Sequence, residues 1–340
     1  MNLNELESLL QKFQDLSILV VGDFFLDRYL IIDPELAEAS LETGLEARQV
    51  IQIRNQPGAA GTVTSNLSAL EVGQIQALGV IGADGHGHDL KVGLEKTNVI
   101  TAGLIELEER LTPTYTKPIS ARSGQEMERL DVKNRAVLPE EIEDRIISDL
   151  EKALSQTNGV IVLDQVQEEN CGVITNRVRD AIAALAPGYP NIVFFADSRT
   201  RIGDFNRVIT KPNSEEASRA WFPDLEESPD PSHLETGIRS ISSRTGRPVY
   251  ITLGANGILC DDLESVHHIP GIPVPNPIDI VGAGDSASAA IVSALCAGAT
   301  HANAAILGVI ASSITIQQLG TTGTAEPVQI LNRFAETYQS

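Results

Sequence analysis

Short runs of continuous apolar residues alternate along the chain with longer stretches in which apolar residues recur at helical spacing. Residues 17–21 and 159–163 are two of these runs, and each is followed by glycine or aspartate. Such runs are typical of strands that are buried on both faces, as in a parallel sheet. Residues 3–13 and 139–154 have the helical spacing. The alternation predicts an α/β fold, a doubly wound and mainly parallel sheet with helices on both faces.

Two segments depart from this pattern. Residues 29–54 and 112–130 mix apolar and polar positions in the manner of exposed antiparallel strands. We therefore expect one domain over residues 1–340 that carries a small β-sheet lid built from these segments. A small sheet with one apolar face needs a cover, either the substrate site or a second subunit, and exposed lid strands favour a homodimer. The proline-rich segment 221–233 is predicted to be a surface loop.

Composition and charge restrict the partners and the compartment. The chain has 46 acidic and 25 basic residues and a formal net charge of −21, which disfavours nucleic acid and anionic membranes as partners. Its three cysteines, Cys171, Cys260 and Cys296, are far apart, which is typical of free thiols in a reducing compartment. We expect a cytoplasmic protein without a signal peptide. The apolar tract 287–316 is broken by polar and glycine residues and predicts two core helices rather than a membrane span.

The stretch 282–285, Gly-Ala-Gly-Asp, is the most informative local motif. It precedes an alanine-rich stretch, 286–299, that has the composition of a buried helix. Small residues that lead into a helix N-terminus leave backbone N–H groups free to bind an anion. A carboxylate there suits proton removal from a hydroxyl while the N–H groups stabilise a charged group in transfer. The alternative interpretation is a glycine turn with Asp285 as the helix N-cap.

Further polar residues follow the predicted strands. Asp23 and Asp27 lie just past the strand 17–21, where open α/β sheets bind ligands, although a turn cap or an ion pair with Arg28 would explain them too. Asn213 and Glu216 are three residues apart at a predicted helix start. They form either a capping box or a pair of oxygen ligands near hydrated magnesium.

Together these motifs resemble the ribokinase-like, or PfkB, family of carbohydrate kinases, over nearly the whole chain. Residues 279–285, Asp-Ile-Val-Gly-Ala-Gly-Asp, are close to the family motif Asp-Thr-x-Gly-Ala-Gly-Asp. Residues 213–216 match the family's Asn-x-x-Glu element, and residues 252–257 match its Thr-x-Gly-x-x-Gly nucleotide strand and turn. From the residues alone, the latter motif could equally be a hairpin turn.

The resemblance implies a kinase that transfers the γ-phosphoryl group of ATP to a sugar or sugar phosphate, with Mg²⁺ and in some members K⁺. It implies that Asp285 is the general base and that the backbone of Gly282, Ala283 and Gly284 is the anion hole. For the nucleotide and the ions it implies the following residues: Asn213, Thr252, Gly254 and Gly257 for ATP, Glu216 for the magnesium shell, and Asp279 for the monovalent cation.

The N-terminal half is similar to the kinase domain of the bifunctional ADP-heptose synthases. The similarity rests on residues 20–29, Val-Val-Gly-Asp-x-x-Leu-Asp-Arg-Tyr, and on shorter matches at 57–58, 116–117 and 129–131. It implies a heptose-phosphate-like acceptor beneath the lid. The residues implied for that acceptor are Asp23, Asp27, Gly58 and Thr62 for the sugar, and Lys117, Arg122 and Arg129 for a phosphate, although surface salt bridges would explain these cations as well.

Several positions depart from the family pattern. Ile280 replaces the motif threonine, residues 58–62 read Gly-Ala-Ala-Gly-Thr instead of Gly-Gly followed by Asn, and the loop after Leu163 lacks the Lys-Gly of heptose kinases. No nucleotidyltransferase domain is expected within the 340 residues. The alternatives are a nucleoside kinase of the same fold, which would need more aromatic side chains in its pocket, and a sugar-binding regulator that lacks catalysis.

Overall fold

A large sheet and a small sheet make up the β structure of the computed structural model, which describes residues 1–222 and 231–339. The strands in this part of the chain are β1 (Ser17–Gly22), β2 (Phe24–Ala39), β3 (Glu46–Ala59), β4 (Gln74–Gly82), β5 (Val99–Leu107), β6 (Thr114–Ser120), β7 (Leu130–Val132), β8 (Gly159–Asp164), β9 (Val193–Ser198), β10 (Ile209–Thr210), β11 (Val249–Thr252), β12 (Ile258–Asp261) and β13 (Val266–Ile269). The helices are α1 (Leu3–Gln11), α2 (Ala60–Ala69), α3 (Gly85–Glu95), α4 (Glu140–Leu154), α5 (Asn176–Leu185), α6 (Ser214–Trp221), α7 (Pro231–Thr245), α8 (Ala283–Cys296), α9 (His301–Thr315) and α10 (Pro327–Tyr338).

The large sheet confirms the predicted fold class. Its order is β13-β12-β11-β10-β9-β8-β1-β4-β5. The strands from β11 to β5 pair in parallel, and β12 and β13 extend the sheet as an antiparallel edge. Because parallel strands share one direction, the residues that follow β8, β9, β10 and β11 meet at one edge of the sheet.

Strand β1 shows why its sequence is apolar at every position. Ile18 and Val20 pack into the core beneath α2, α8 and α9, whereas Leu19 and Val21 pack into the core beneath α4 and α5. Successive side chains of a strand point to opposite faces, so a strand covered by helices on both faces needs apolar residues throughout. Within the first core, α8 and α9 approach closely, since a Cβ at Gly308 would lie 2.9 Å from Ile291 Cγ1.

The small sheet has the order β3-β2-β6-β7 and is called the lid sheet below. Its predicted first segment, 29–54, is too short, because β2 begins at Phe24 and β3 continues to Ala59. Phe24 pairs with Ala59 directly after β1 ends, so the lid sheet grows out of the large sheet without a loop between them. In the second segment, residues 121–123 form a turn after β6, and Glu126 forms an isolated antiparallel bridge with Ile119 before β7 begins at Leu130.

Two further expectations concern helices. Most of the predicted surface loop 221–233 lies outside the described residues; α6 ends at Trp221 and α7 begins at Pro231. The tract 287–316 lies in α8 and α9, as predicted. In residues 1–222 and 231–339, no helix is both long enough and apolar enough to cross a membrane.

Candidate active site

A cavity of about 720 Å³ lies between the lid sheet and the carboxyl ends of the parallel strands. It brings together most of the residues that the sequence singled out: Asp23, Asp27, Thr62, Lys117, Arg129, Asn213, Glu216, Thr252, Gly282, Gly284 and Asp285. The other predicted site residues do not line it: Gly58, Ala283, Gly254, Gly257, Asp279 and Arg122. The cavity therefore joins the predicted acceptor side and the predicted nucleotide side in one space.

The loop predicted to bind an anion, called the anion loop below, is formed by Gly282 and the first turn of α8. Gly282 has φ +82°, a left-handed conformation that favours glycine, and it is the N-cap residue. The helix thus begins at Ala283, three residues earlier than predicted. The Ala283 N–H donates to the Ile280 carbonyl at 3.2 Å, so Ala283 is not free for an anion, contrary to expectation. Among the described residues, no acceptor receives the N–H groups of Gly282, Gly284 or Asp285.

Asp285 lies in the first turn of α8 and faces the cavity. The N-cap is Gly282, so the alternative interpretation of Asp285 as an N-cap is wrong. Burial, and then the nearby Asp197 carboxylate, raise the pKa of Asp285 to about 7, although Lys211 and Arg199 oppose the rise. A carboxylate with a pKa near neutrality can accept a proton efficiently at physiological pH.

Three charged residues near Asp285 were not predicted as site residues. Lys211 follows β10, and its Nζ lies 2.9 Å from Asp197 Oδ2 at the end of β9. Burial opposes the lysine charge, but the carboxylates of Asp197, Glu216 and Asp285 together outweigh it, so the pKa of Lys211 is raised. Arg199 lines the same cavity and donates from Nε to Gln165 Oε1 at 3.3 Å. Their positions just past buried parallel strands are the signal that could have revealed them.

Asn213 and Glu216 form the capping box of α6. Asn213 Oδ1 accepts from the Glu216 N–H at 2.8 Å, and Glu216 Oε2 accepts from the Asn213 N–H at 2.9 Å. The structural interpretation is thus confirmed, and it uses only one carboxylate oxygen of Glu216. Burial, and then Asp197, raise the pKa of Glu216. The remaining oxygen fits a role beside hydrated Mg²⁺, which retains most of its waters.

The nucleotide motif 252–257 forms the turn between β11 and β12. Thr252 lines the cavity, and its N–H donates to the Pro212 carbonyl at 3.0 Å. The Leu253 N–H donates to the Gly257 carbonyl at 2.8 Å, which closes the turn. Gly257 has φ +92°, and a Cβ there would lie 2.0 Å from the Ile269 carbonyl oxygen. The hairpin alternative is therefore confirmed for these glycines.

Asp279 lies behind the anion loop. Its Oδ1 accepts from the Val281 N–H at 3.1 Å, and its Oδ2 accepts from the Gly320 N–H at 3.3 Å. The segment that contains Gly320 and Thr321 also contacts lid strand β3. Arg54 Nη2 donates to the Gly320 carbonyl at 2.7 Å, and Gln56 Nε2 donates to Thr321 Oγ1 at 2.8 Å. Asp279 thus connects the anion loop to a segment that also holds the lid sheet.

On the acceptor side, Asp27 is paired with Lys117. The Lys117 Nζ lies 3.2 Å from Asp27 Oδ1, and it also lies 5.1 Å from the centre of the Tyr29 ring. Burial opposes the charge of Lys117, but Asp27 and Tyr29 together outweigh it, so the pKa of Lys117 is raised. A Cβ at Gly58 would lie 2.4 Å from Asp27 Oδ2, so glycine at position 58 makes room for this carboxylate. The Arg28 alternative for Asp27 is wrong, since Arg28 pairs with Asp89.

Asp23, predicted as a sugar ligand, lines the cavity and also fixes the backbone beside it. Its carboxylate accepts from the N–H groups of Gln165, Val166 and Val173 at 2.7–2.9 Å. Burial, and then the Asp164 carboxylate, raise the pKa of Asp23 to about 6, although these hydrogen bonds oppose the rise. Asp23 therefore fixes the loop that follows β8, and three of its hydrogen-bonding positions are taken.

The basic side chains predicted to bind a phosphate differ in their surroundings. Arg129 forms a bidentate pair with Asp131 at 2.7 and 2.9 Å, whereas Arg122 lies in the exposed turn after β6. Arg110 and Lys133 also line the cavity and were not predicted. In all, six basic side chains line it (Arg110, Lys117, Arg129, Lys133, Arg199 and Lys211) against six acidic ones (Asp23, Asp27, Glu168, Asp197, Glu216 and Asp285). The chain as a whole has 25 basic and 46 acidic residues, so the cavity is enriched in positive charge.

With this geometry in place, comparison with known proteins identifies the family. The family described as pfkB family carbohydrate kinase matches residues 17–328. The chain belongs to this family. Membership makes it a carbohydrate kinase, that is, a phosphotransferase with a hydroxyl group as acceptor.

Individual relatives of this kinase agree with the assignment. The bifunctional protein HldE of Trichlorobacter lovleyi is 30% identical over 332 residues, which cover 96% of this chain and 64% of that protein. The kinase chain thus spans slightly less than two thirds of the length of the curated relatives it matches. Among solved structures, phosphofructokinase-2 from Escherichia coli aligns with a TM-score of 0.71 and 20% identity, covering 94% of this chain and 99% of that chain. Ribokinase from Thermotoga maritima aligns with a TM-score of 0.68, 19% identity and the same coverage. These two likenesses concern the fold.

Proposed function

We propose that the kinase transfers the γ-phosphoryl group of ATP to a hydroxyl of a phosphorylated sugar of the heptose-phosphate type, with Asp285 as general base. One observation carries the proposal: a cavity carboxylate with a pKa of about 7 lies in the same helical turn as the free N–H groups of Gly284 and Asp285. A group that can accept a proton and N–H groups that can stabilise a negative charge thus lie in one helical turn.

The chain's own residues account for each task in the reaction. Asp27 and Thr62 line the acceptor side and would orient the sugar hydroxyl toward Asp285, which takes its proton. The N–H groups of Gly282, Gly284 and Asp285 would hold the transferring group, because free N–H groups at a helix start attract negative charge. ATP would lie near Asn213 and Thr252, and Glu216 would face hydrated Mg²⁺, which would supply positive charge that partly neutralises the phosphates.

The charge of the cavity supports a phosphorylated acceptor. Basic side chains equal acidic ones there, in a chain whose acidic residues greatly outnumber its basic residues. Arg110 and Lys133 add positive charge beyond what the nucleotide side supplies. The relatives named HldE, together with the N-terminal similarity to heptose kinases, favour a heptose phosphate over other phosphorylated sugars.

Two accessory features belong to the same proposal. Asp279 and the carbonyls around it would bind a monovalent cation behind the anion loop, and a structure of Escherichia coli phosphofructokinase-2 was determined in complex with potassium. Exposed apolar side chains on β3, including Ile51 and Ile53, support a homodimer through the lid sheet. Sedimentation of wild type beside the Ile51→Lys variant tests the dimer: a monomeric wild type would contradict it.

The experiment that tests the function is a screen for ADP release with Mg-ATP. The acceptors are heptose phosphates, hexose phosphates, unphosphorylated hexoses and pentoses, and nucleosides, each with and without KCl. We expect the highest kcat/KM with a heptose phosphate and a stimulation by potassium. Turnover only with nucleosides would favour the nucleoside kinase, and sugar binding without turnover of any acceptor would favour the regulator.

A further inference from the structure

One row of side chains crosses the lid sheet beside the cavity. Tyr29 on β2 lies directly opposite Arg54 on β3 and directly opposite Lys117 on β6. Arg54 Cζ lies 4.4 Å from the centre of the Tyr29 ring, and Lys117 Nζ lies 5.1 Å from it. At both distances a cation is attracted to the face of an aromatic ring. Because β3 and β6 lie on the two sides of β2, the ring lies between two cations.

Only one end of this row faces the cavity. Lys117 lines the cavity together with Asp27, whereas Tyr29 and Arg54 do not line it. Asp27 precedes Tyr29 by two residues on β2, so both side chains are on the same face of the lid sheet. Lys117 reaches both of them, the Tyr29 ring and Asp27 Oδ1 at 3.2 Å. Tyr29 and Arg54 therefore lie behind the two charged groups that face an acceptor.

The row restrains a side chain that is otherwise flexible. A lysine has a four-carbon stem, and an ion pair with one carboxylate leaves this stem considerable freedom. The ring beside the Lys117 ammonium removes part of that freedom. Tyr29 itself is 8% exposed, and Arg54 donates to the Gly320 carbonyl at 2.7 Å. The end of the row that is remote from the cavity is thus anchored as well.

We propose that Tyr29 and Arg54 are positioning residues for the acceptor. The ring of Tyr29 holds the Lys117 ammonium, and Lys117 holds the carboxylate of Asp27. Arg54 fastens the ring to the segment that contains Gly320. The inference rests on the proposed kinase function and adds two residues that touch no substrate. Their effect is on acceptor binding, because a carboxylate that is already held in one orientation loses less entropy when it binds a hydroxyl.

The competing explanation is that Tyr29 only contributes to the packing of the lid sheet. The two explanations differ in the part that Lys117 plays. If Tyr29 acts through Lys117, its substitution has no further effect on acceptor binding once Lys117 has been replaced. If Tyr29 only supports the sheet, the effects of the two substitutions add. A double-mutant cycle on acceptor binding therefore separates the two explanations.

The test uses the full chain and these variants: Tyr29→Leu, Tyr29→Phe, Arg54→Met, Lys117→Met, and Lys117→Met combined with Tyr29→Leu or with Arg54→Met. Arg48→Met is the matched control, because Arg48 lies on the same strand as Arg54 and forms exposed ion pairs with Glu46 and Glu128. Steady-state assays measure kcat and the KM values for ATP and for the best acceptor. Tyr29→Leu should raise the acceptor KM about 5–10-fold, the loss expected for a partly desolvated contact between a cation and a ring. Its kcat and its KM for ATP should stay within about twofold of wild type, as for a loss of ground-state binding.

The other variants test each link of the row. Tyr29→Phe keeps the ring and should recover most of the lost affinity. Arg54→Met should raise the acceptor KM by about threefold, less than Tyr29→Leu, because Arg54 is exposed and its contact with the ring is weaker. In the Lys117→Met background, Tyr29→Leu should change the acceptor KM by less than about twofold.

A second measurement needs no acceptor. Amine labelling followed by mass spectrometry gives the rate at which each lysine reacts, and an amine reacts in its uncharged form. We expect Lys117 to react about 3–10 times faster in Tyr29→Leu than in wild type, because a lysine that loses a contact favouring its charged form has a lower pKa. Lys96 is exposed at the end of α3 and should react at an unchanged rate, which makes it the internal control.

Three results would overturn the inference. One is a Tyr29→Leu variant whose acceptor KM and Lys117 labelling rate both stay within about twofold of wild type. Another is additivity of Tyr29→Leu and Lys117→Met, and a third is an equal rise of the KM for ATP and for the acceptor. If Tyr29→Leu does not fold, Arg54→Met and its combination with Lys117→Met decide by the same KM criteria. A wild type that turns over no acceptor would refute the kinase proposal, and the labelling rate would then decide whether Tyr29 holds Lys117.

Discussion

The two sides of the cavity handle charge differently. On the acceptor side the charges are matched: Lys117 pairs with Asp27, and Arg129 forms a bidentate pair with Asp131. On the phosphoryl side, Lys211 pairs with Asp197, but in residues 1–222 and 231–339 no cation lies within ion-pair distance of Asp285, whose pKa is raised to about 7. The first arrangement is stable without a ligand, whereas in the second the ionised form of Asp285 costs free energy.

This difference indicates which side of the cavity is arranged for catalysis and which for substrate recognition. The ionised carboxylate of Asp285 costs stability in the free protein at neutral pH, and groups held in an unfavourable environment before the substrate binds are expected in a preorganised site. The matched pairs of the acceptor side must be rearranged or extended by the sugar, so they suit recognition. Variants on the two sides should therefore differ in kind as well as in size.

The largest expected effect is that of Asp285→Asn. It should lower kcat by about 10²–10⁴-fold, because the acceptor hydroxyl loses its proton acceptor. The Kd for Mg-ATP, measured by calorimetry, should change little. Asp180→Asn is the matched control, since Asp180 is exposed on α5. Near wild-type turnover by Asp285→Asn would show that another group takes the proton.

Asp27→Asn on the acceptor side should have a smaller effect of another kind. We expect KM for the sugar to rise about 10–100-fold with kcat less affected, since leaving Lys117 without its carboxylate costs about 1–3 kcal/mol. The KM for ATP should stay within twofold of wild type. Glu106→Gln, which removes the partner of Lys91 on the surface, is the control. A change in kcat alone would contradict the division between the two sides.

The pH profile follows from the raised pKa of Asp285. The base must be ionised in the free enzyme, so kcat/KM should rise with pH up to about 7 and then level off. Below that value it should fall by about tenfold per pH unit, as expected for a single ionisation. An acid limb near pH 4, the ordinary range of an aspartate, would mean that the phosphoryl side does not perturb this group.

The smallest expected effect is on the free energy of unfolding. Its sign should differ between substitutions of Asp285 and of Asp23. Asp285 has a folded pKa of about 7 against 3.8 in the unfolded chain, so its contribution to stability is present below pH 4 and is lost as the pH rises through 7. Asp285→Asn should therefore raise the unfolding free energy at pH 8 by about 1–2 kcal/mol, measured by urea titration. Asp23 has a pKa raised to about 6, yet it accepts three N–H groups.

Asp23→Asn should consequently lower the unfolding free energy at the same pH, by about 1–3 kcal/mol, because the asparagine NH₂ cannot accept those hydrogen bonds. If both variants changed the unfolding free energy in the same direction, the proposed contrast would be wrong. That contrast is that Asp285 destabilises the folded protein at this pH whereas Asp23 stabilises it.

The sequence predicted the parts of the molecule that follow from local pattern. The apolar run of β1 indicated a strand buried on both faces, and small residues before an alanine-rich helix indicated the anion loop. The start of β2 was missed because Phe24 and Leu26 are as apolar as a core strand, although they belong to the lid sheet.

Long-range contacts explain the remaining differences. The donors to Asp23 are 142 to 150 residues away along the chain, so no local pattern distinguishes Asp23 from a sugar ligand. Lys211 precedes a proline at a strand end, where a lysine is usually solvated, and its burial depends on Asp197 and α8. The capping box at Asn213 and Glu216 was read correctly from its spacing, since both hydrogen bonds are local.

The hydrogen bonds from Arg54 and Gln56 to Gly320 and Thr321 fasten lid strand β3 to the loop that holds Asp279. Any movement that separates β3 from this loop breaks both bonds at once. Lid strand β3 above the acceptor side and the Gly320 segment behind the anion loop therefore share these two contacts. A lid movement that breaks these two hydrogen bonds would therefore also release the segment that holds Asp279 through the Gly320 N–H.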